Sequence, residues 1–388
     1  MSYVGTLESP TELVHESEFA VETSTSDLKK YDQTENEPTL VSVIIPNFNY
    51  QEFVGQAIES ALALDWPAVE VIVVDDGSTD DSRRVIRAFG SRITAIFQTN
   101  SGQRSAYNSG FARSRGQIVL FLDSDDLLEP SLVRRLMRVW RPGLSKVQFQ
   151  MKVVDKIGRA TGAVLPQFHI VPTPAQVRHW ATTAAAYPTP PGSGNAYSRT
   201  FLQKIFPLDG DDRAADSYCL AAAPFLGDVV TIAEPLVAYR VHGRNDGALS
   251  EIDRPRFGHE FSRARARFRY SQAAARLAGI AVPEAALNRS LSVLPYRLAS
   301  LKLHPQAHPV LADSAEKILR DVLTACFVAQ GVPLRSRATL LAWALSVTVS
   351  PSALGERLVL WRFSSSARPE TLNRALRLLR VVKRYQPS

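Results

Sequence analysis

Four apolar runs lie between residues 41 and 122, and each is followed by a cluster of polar residues. The runs are residues 41–46, 69–74, 92–98 and 117–122, and residues 53–62, after the first, carry apolar side chains on one helical face. Strands that alternate with helices in this way predict a parallel sheet with right-handed crossovers. The expected fold class is α/β: a Rossmann-type, mostly parallel sheet followed by an α-helical C-terminal region.

The polar clusters follow the strands at residues 46–50, 75–79, 100–108 and 123–126. In parallel sheets of this kind, ligands bind beyond the carboxyl ends of the strands. The four loops are therefore predicted to converge on one site.

The fourth cluster places Asp123, Asp125 and Asp126 directly behind an apolar strand. Such a concentration of carboxylates is costly unless a cation or a hydrogen-bonded ligand offsets the charge. The cluster predicts a divalent metal that carries a phosphate. An alternative is that Asp126 caps a helix that Pro130 opens.

The four motifs in this order resemble the family 2 glycosyltransferases of GT-A fold, which are inverting enzymes that use nucleotide-diphosphate sugars. The motifs are Val-Ser-Val-Ile-Ile-Pro-Asn-Phe-Asn at 41–49, Val-Ile-Val-Val-Asp-Asp-Gly-Ser-Thr-Asp at 71–80, Asn-Ser-Gly-Gln-Arg-Ser-Ala-Tyr-Asn-Ser-Gly at 100–110 and Leu-Asp-Ser-Asp-Asp at 122–126. The resemblance runs from about residue 40 to about residue 245 and does not cover the rest of the chain.

The resemblance implies a donor-nucleotide site. In it, Asp76 contacts the base, Asp75 supports the turn, and Arg104 meets phosphate or ribose with its fixed fork of donors. Two alternatives remain: the aspartate pair caps a helix with Ser78 and Thr79, and Arg104 pairs with a neighbouring carboxylate. The donor-nucleotide residues implied are Pro46, Phe48, Asn49, Asp75, Asp76, Asn100, Gly102, Arg104 and Asp123.

The resemblance also implies a site for Mg²⁺ or Mn²⁺, cations that suit oxygen ligands. Asp125 is expected to ligate the metal and Asp123 to reach the ribose or a metal-bound water. His242, in the pattern Tyr-Arg-Val-His-Gly at 239–243, is the expected third contact to metal or phosphate. A lone histidine of this kind can instead be structural.

An inverting transfer needs a base for the acceptor hydroxyl, and by resemblance that base is Asp216. The family commonly has Glu-Asp here, whereas this chain has Ala215 before Asp216. The alternative is that Asp216 only favours the start of a helix, in which case Asp211 or Asp212 would be the base.

Residues 187–196 are rich in proline and glycine and predict a loop without regular structure. Their place in the chain matches the acceptor-facing segment of the family. Ser193, Gly194 and Asn195 are therefore expected to contact the donor sugar or the acceptor.

The chain is expected to have three parts: a disordered acidic tail (1–38), a GT-A glycosyltransferase domain (39–250) and a helical basic accessory domain (251–388). Nine acidic residues and two lysines precede Pro38, whereas residues 251–388 hold 22 Lys/Arg against 9 Asp/Glu. Helical spacing appears at residues 263–277, 312–329, 340–349 and 371–384. The last of these suits a helix lying on an anionic membrane and equally one packed on its own domain or a partner.

Other features place the chain in the cytoplasm, peripheral at the inner face of the cell membrane. Its two cysteines give no disulfide framework and no nucleic-acid motif occurs. The first residues lack a basic region followed by an apolar core, so a signal peptide is not expected. The expected activity is metal-dependent, inverting hexosyl transfer to a glycan or lipid-linked acceptor, in bacterial surface polysaccharide or glycolipid synthesis.

One alternative function is that of a noncatalytic sugar-nucleotide-binding subunit of a cell-envelope assembly. The other is a nucleotidyltransferase, against which residues 46–50 lack a glycine- and lysine-rich phosphate loop.

Overall fold

A computed structural model describes residues 38–374 except 169, 210–214, 243–253, 330–331, 365–367 and 372. Its strands are β1 (Val41–Asn47), β2 (Val69–Asp76), β3 (Thr94–Gln98), β4 (Ile118–Phe121), β5 (Leu127–Leu128), β6 (Leu144–Val154), β7 (Ala160–Leu165), β8 (Asn195–Ser198) and β9 (Asp228–Arg240). Its helices are α1 (Val54–Leu62), α2 (Ser82–Arg87), α3 (Gln103–Arg113), α4 (Leu132–Met137), α5 (Pro174–Ala184), α6 (Arg199–Leu202), α7 (Asp216–Leu226), α8 (Arg254–Leu277), α9 (Leu294–Leu303), α10 (Ala315–Val328), α11 (Leu334–Val349) and α12 (Ser352–Phe363).

One sheet contains all the described strands, in the order β3-β2-β1-β4-β8-β6-β9-β5, with β7 beside β6. The half formed by β3, β2, β1 and β4 is parallel, with β1 central: Ile44 lies opposite Ile72 of β2 and Phe121 of β4. In the other half β6 and β9 are parallel, whereas β8 and β5 run antiparallel to their neighbours. The carboxyl ends of β1, β2, β3 and β4 therefore meet at one edge.

Two apolar cores lie against the sheet because alternate residues of each strand point to opposite faces. Val43 and Ile45 of β1 belong to one core, together with α1 and α4. Ile44 belongs to the second core, together with α3 and α7. All three side chains are fully buried, which explains why β1 is a continuous apolar run in the sequence.

Helix α3 packs unusually close to β1. Gly110 faces the strand, and a methyl group there would lie 2.3 Å from Ile44 Cγ2. The start of the helix is held at Gly102, where φ is +86° and the backbone N–H donates to Asp76. Glycine suits both positions, because one needs close approach and the other a left-handed backbone.

The helices from α8 to α12 enclose a third core. Arg297 of α9 is buried there, and its guanidinium donates to Asp313 at 2.6 Å and to Asp321 of α10 at 2.7 Å. Helix α8 also packs on α7, where the rings of Tyr218 and Tyr270 meet edge to face. The described residues from Thr39 onward form one compact unit, and a domain boundary at residue 250 stays a prediction.

The structure confirms the α/β fold class and the four predicted strands. The helices predicted at 263–277, 312–329 and 340–349 correspond to α8, α10 and α11, and 371–384 falls largely outside the described residues. The prediction of an irregular loop at 187–196 is wrong at the C-terminal end of that range, because Asn195 already pairs with β6 as part of β8. In the described part of the chain, every helix is too short or too polar to cross a bilayer.

Candidate active site

Hydrogen bonds join the four strand-end loops into one structure. The Asn47 side chain donates to Asp75 Oδ1 at 3.0 Å, which ties the first loop to the second. The backbone N–H of Gly102 donates to Asp76 Oδ2 at 2.8 Å, which ties the second to the third. Ser124 Oγ donates to the carbonyl of Pro46 at 2.6 Å, which ties the fourth loop to the first. The predicted convergence of the loops is confirmed.

Asp125 of the fourth loop lies beside His242, which follows β9. His242 Nε2 is 2.9 Å from Asp125 Oδ2, and both side chains are buried. The imidazole stacks on Phe53, with ring centroids 4.9 Å apart, and meets the edge of Tyr50. Two predicted metal contacts that are 117 positions apart in sequence are thus neighbours, and the aromatic rings fix the orientation of the imidazole.

Asp126 is held by the backbone of β9. Its Oδ1 accepts the N–H of Arg240 at 3.0 Å, while α4 begins only at Leu132 and has Ser131 as its N-terminal flanking residue. Asp126 therefore does not cap that helix, and this alternative is wrong. Burial, followed by the charges of Asp125 and Asp123, raises the pKa of Asp126 well above its usual range.

Arg240 is a buried residue that the sequence analysis did not identify. Its Nε donates to the carbonyl of Asp125 at 2.8 Å, and its two terminal nitrogens donate to the carbonyl of Lys156 and to Gln56 Oε1. Its guanidinium also lies over the Phe53 ring. Arg240 is part of the Tyr-Arg-Val-His pattern in the sequence. Its role in shaping the carboxylate loop becomes visible only in the structure, where the side chain is 1% exposed.

Asp123 and Asp216 approach each other across Gly192. A methyl group on Gly192 would lie 3.6 Å from Asp123 Oδ2 and 3.5 Å from Asp216 Cβ. Burial, together with the charges of Asp125 and Asp216, raises the pKa of Asp123 to about 8. The site therefore concentrates more negative charge than it can keep ionised, and a cation would relieve that cost.

Asp216 is the first residue of α7, as predicted, so it does lie at a helix N-terminus. This position is compatible with either role, because the helix dipole favours a carboxylate there and the side chain also reaches the neighbourhood of Asp123. The other two candidates for the base, Asp211 and Asp212, lie outside the described residues.

The second loop uses its aspartates for internal contacts. Asp75 accepts from Ser78 N and from Arg83 Nε at 2.9 Å. Asp76 accepts from Gln98, Ser101 N and Gly102 N. Neither side chain caps α2, which begins at Ser82, so the predicted capping role with Ser78 and Thr79 is wrong for that helix. Asp76 instead fixes the turn that opens α3.

Asn49 shapes the first loop. Its backbone has a left-handed φ of 59°, and its Oδ1 accepts the N–H of Thr79 at 2.8 Å. Phe48, its neighbour, exposes 41% of its surface, which leaves the ring available to stack on a planar ligand. The nucleoside roles of Pro46, Phe48 and Asn49 stay predictions.

The third loop presents Arg104 at the start of α3. Arg104 is half-buried and makes no hydrogen bond or ion pair within the residues that the structure describes, so no carboxylate among those residues pairs with it. Asn100 is exposed and packs beside Gly77, where a methyl group would lie 2.6 Å from Asn100 N. A guanidinium at the strand ends that has no partner in the described part of the chain fits an anionic ligand.

The proline- and glycine-rich segment closes over Asp123. Ser193 Oγ accepts the backbone N–H of Asp123 at 3.0 Å. Asn195 is fully buried and donates to the carbonyls of Pro191 and Gly192, which makes it a support of the segment. Gly194 lies so close to the ring of Pro190 that a methyl group there would clash at 2.4 Å. Of the three predicted residues, Ser193 is the one that touches the carboxylate loop.

Lys146 of β6 holds this segment from behind and was also missed by the sequence analysis. Its Nζ donates to Asn195 Oδ1 at 2.7 Å and to Thr189 Oγ1 at 2.8 Å, and it lies over the Tyr187 ring. The side chain is fully buried, which lowers the pKa of Lys146 well below its usual range. A single lysine in an otherwise ordinary strand gives no sequence signal for this role.

The carboxylate loop fits a divalent cation that is shared with a ligand. Among the described residues, no three His, Cys, Asp or Glu side chains surround one point as a ready-made metal site. Mg²⁺ in nucleotide sites commonly takes one or two carboxylates and completes its shell with phosphate oxygens and water. Asp125 with His242 beside it, close to Asp123 with its raised pKa, matches that pattern.

Comparison with known proteins gives the same family. Residues 42–206 match the model described as glycosyl transferase family 2. An uncharacterized glycosyltransferase of Nostoc sp. is 36% identical over 217 residues, which are 53% of this chain and 66% of that protein. Chondroitin synthase of Escherichia coli is 39% identical over 109 residues, which are 27% of this chain and 16% of that protein. The chain thus spans less than two thirds of the length of either relative.

A solved structure shares the fold. The crystal structure of S. aureus TarS 1-349 in complex with UDP-GlcNAc has a TM-score of 0.50 at 17% identity, covering 83% of this chain and 91% of that chain. At this identity the likeness concerns the fold alone. It confirms the predicted GT-A arrangement of a curled, mostly parallel sheet with a helical C-terminal region.

Proposed function

This chain belongs to glycosyl transferase family 2 through residues 42–206, and we propose that it transfers a sugar from a nucleotide-diphosphate sugar to a hydroxyl acceptor with inversion. The observation that carries the proposal is the approach of Asp216, on α7, to Asp123, behind β4, across Gly192. A base on one element beside a cation-binding loop on another is the arrangement that an inverting displacement requires.

The donor lies across the four loops in this proposal. Phe48 stacks on the base, and Asp76 accepts from its edge through lone pairs that its internal hydrogen bonds leave over. Arg104 donates to the diphosphate or ribose. The UDP-GlcNAc in the TarS complex supports a nucleotide sugar as the class of donor. The remaining donor contacts proposed are Pro46, Asn49, Asp75, Asn100, Gly102 and Asp123.

Asp125 and His242 would hold Mg²⁺ or Mn²⁺ together with the diphosphate, with Asp123 close by. When bound, the metal supplies positive charge that stabilises the leaving diphosphate. Arg240 keeps the Asp125 backbone in place, and Phe53 and Tyr50 keep the His242 ring in place. These contacts hold the Asp125 and His242 side chains in position before the donor binds, which lowers the entropic cost of ordering them on binding.

Asp216 is the base. Its carboxylate takes the proton of the acceptor hydroxyl while the acceptor oxygen bonds to the anomeric carbon. The bond from that carbon to the diphosphate oxygen breaks on the opposite face, so the configuration inverts and nucleoside diphosphate leaves. The segment with Ser193 covers Asp123 and limits the access of water.

The acceptor is a glycan or a lipid-linked sugar, and the process is synthesis of a bacterial surface polysaccharide or glycolipid. The chondroitin synthase relative supports a polysaccharide. We place the protein in the cytoplasm, peripheral at the membrane. The basic segment 371–384, suggested by the sequence as a membrane contact, lies largely outside the described residues.

The test is Asp216→Asn, which removes the accepting charge and keeps the size of the side chain. Transfer should fall by roughly 10²-fold or more, the scale of a lost general base. Donor affinity should hardly change, because Asp216 lies on the acceptor side. Release of nucleoside diphosphate in a screen of nucleotide sugars and acceptors measures the activity, and calorimetry measures the affinity.

The matched control is Asp65→Asn, a surface carboxylate paired with Arg134, which should leave transfer unchanged. A folded Asp216→Asn protein with wild-type transfer would contradict the assignment of the base. Release of pyrophosphate would identify a nucleotidyltransferase, and donor binding without any product would identify a noncatalytic subunit.

A further inference from the structure

Helices α10 and α11 form a hairpin whose connecting end carries exposed apolar side chains. Phe327 and Leu334 expose 78% and 77% of their surfaces, and Val328 exposes 51%. We call Phe327, Val328, Leu334 and the exposed Arg335 the hairpin tip. Single exposed apolar residues are common, but several together at one end of an element indicate an interaction surface.

The residues of the hairpin tip are held beside one another. Arg337 of α11 donates to the carbonyl of Cys326, the residue before Phe327, at 3.2 Å. It also donates to the carbonyl of Val332, two residues before Leu334, at 2.8 Å. One guanidinium therefore ties the end of α10, next to Phe327, to the start of α11, next to Leu334.

The stretch of sequence that contains the hairpin tip carries charge of a single sign. Residues 322–355 contain no Asp or Glu, and their charged residues are Arg335 and Arg337. The same trend holds for residues 251–388, with 22 Lys/Arg against 9 Asp/Glu. Arg337 is engaged with backbone carbonyls, so Arg335 is the cation of the tip that faces outward. Exposed apolar side chains beside an outward arginine, in a stretch of sequence without Asp or Glu, complement an anionic, partly apolar partner.

We propose that the hairpin tip docks on an anionic lipid bilayer. Phe327, Val328 and Leu334 enter the boundary between headgroups and acyl chains, and Arg335 pairs with lipid phosphate. No described helix could cross a bilayer, so the contact is interfacial. This inference concerns a surface of the helical region and does not depend on the proposed transfer reaction, because binding is measured without donor or acceptor.

The experiment is flotation of the full chain with vesicles, either of phosphatidylcholine alone or of phosphatidylcholine with phosphatidylserine. Wild type should float with the anionic vesicles, less so as salt rises. The double variant Phe327→Glu/Leu334→Glu should lose binding roughly tenfold or more, because it replaces two inserted side chains with repelled charges. Circular dichroism checks that both proteins are folded.

The control is Leu311→Glu, which changes a fully exposed leucine before the other end of α10, about 20 Å away along a helix of this length. It should float like wild type. Absence of wild-type binding to anionic vesicles would overturn the proposal, as would equal binding by the double variant. A lipid-free dimer in analytical ultracentrifugation that the double variant dissociates would assign the tip to a second copy of the chain, and would also overturn it.

Discussion

Two buried basic residues, Arg240 and Lys146, explain how single residues shape this site. Arg240 donates to the carbonyl of Asp125, and Lys146 donates to Asn195 and Thr189. Both side chains use these hydrogen bonds to fix a loop. Burying a basic side chain is expensive, and these two side chains hold segments close to Asp123. Their burial is best explained by the need to hold those segments.

Lys146→Met tests this view. The substitution keeps the apolar stem and removes both donors, which leaves Asn195 Oδ1 and Thr189 Oγ1 without their partner. We expect a loss of about 1–3 kcal/mol in the free energy of unfolding, the scale of stranding buried polar groups. Urea denaturation measures it. Lys152→Met, on the same strand but partly exposed and paired with Glu129, should cost about 1 kcal/mol or less. Equal stability of the two variants would argue against the role of Lys146.

Helix α3 illustrates how an element is positioned to serve the site. Asp76 holds its start, and Gly110 lets its middle approach β1. The same helix carries Arg104, proposed to meet the donor, and Tyr107, whose ring stacks on Phe121 of β4 at a centroid distance of 4.0 Å. The height of Arg104 above the strand ends therefore depends on the close contact at Gly110.

Gly110→Ala tests this packing. The added methyl would lie 2.3 Å from Ile44 Cγ2 and 3.3 Å from Val74 Cγ2, both on buried strands that cannot move away cheaply. We expect destabilisation of about 1–3 kcal/mol, typical of an overfilled core. Gly55→Ala on α1 is the control, since its methyl would meet only Val85 Cγ1 at 3.3 Å. Alanine favours a helix by about 1 kcal/mol over glycine, so Gly55→Ala should not destabilise the protein. If both variants lost the same stability in thermal unfolding, close packing at Gly110 would not be the cause.

At the scale of the whole molecule, the helical region supports the glycosyltransferase fold through α7. Tyr270 of α8 packs edge to face on Tyr218 of α7 at 4.7 Å, and Ala274 joins the core on that face of the sheet. Asp216 begins the same α7 helix. The position of the proposed base thus depends on residues beyond the stretch that matches the family.

Ligand linkage is the prediction at this scale. A ligand that binds only the folded chain raises its stability by about 2.7 kcal/mol at a hundred times its Kd. A nucleoside diphosphate with Mn²⁺ should therefore raise the Tm of wild type by several degrees, and EDTA should remove that shift. In Asp125→Asn the Mn²⁺-dependent shift should disappear, because the proposed metal ligand loses its charge. A full shift in a folded Asp125→Asn protein would rule Asp125 out.

The sequence predicted the parts of this molecule whose signals are local. The runs of β1 and β2 are apolar because both faces of the sheet are covered. The carboxylates directly after β4 marked the end of that strand in the sequence. The strands β6 to β9 and the helices α9 and α12 were not predicted. Lys146 and Arg240 were missed as site supports because a charged residue in a strand looks solvent-exposed until its partners, up to 184 positions away, are known.

The long separation between Arg240 and the loop it holds sets an order of events during synthesis. Asp126 and Arg240 are 114 positions apart, and the stretch that matches the family ends at residue 206. A growing chain therefore exposes every strand-end loop of the parallel half well before β9 can emerge and pair with β5. Domains are made from the N-terminus onward at about 5–20 residues per second, so the nascent protein spends seconds with its carboxylates present but not yet held. The carboxylate loop of the proposed site is therefore completed only after the strand that orders it has left the ribosome.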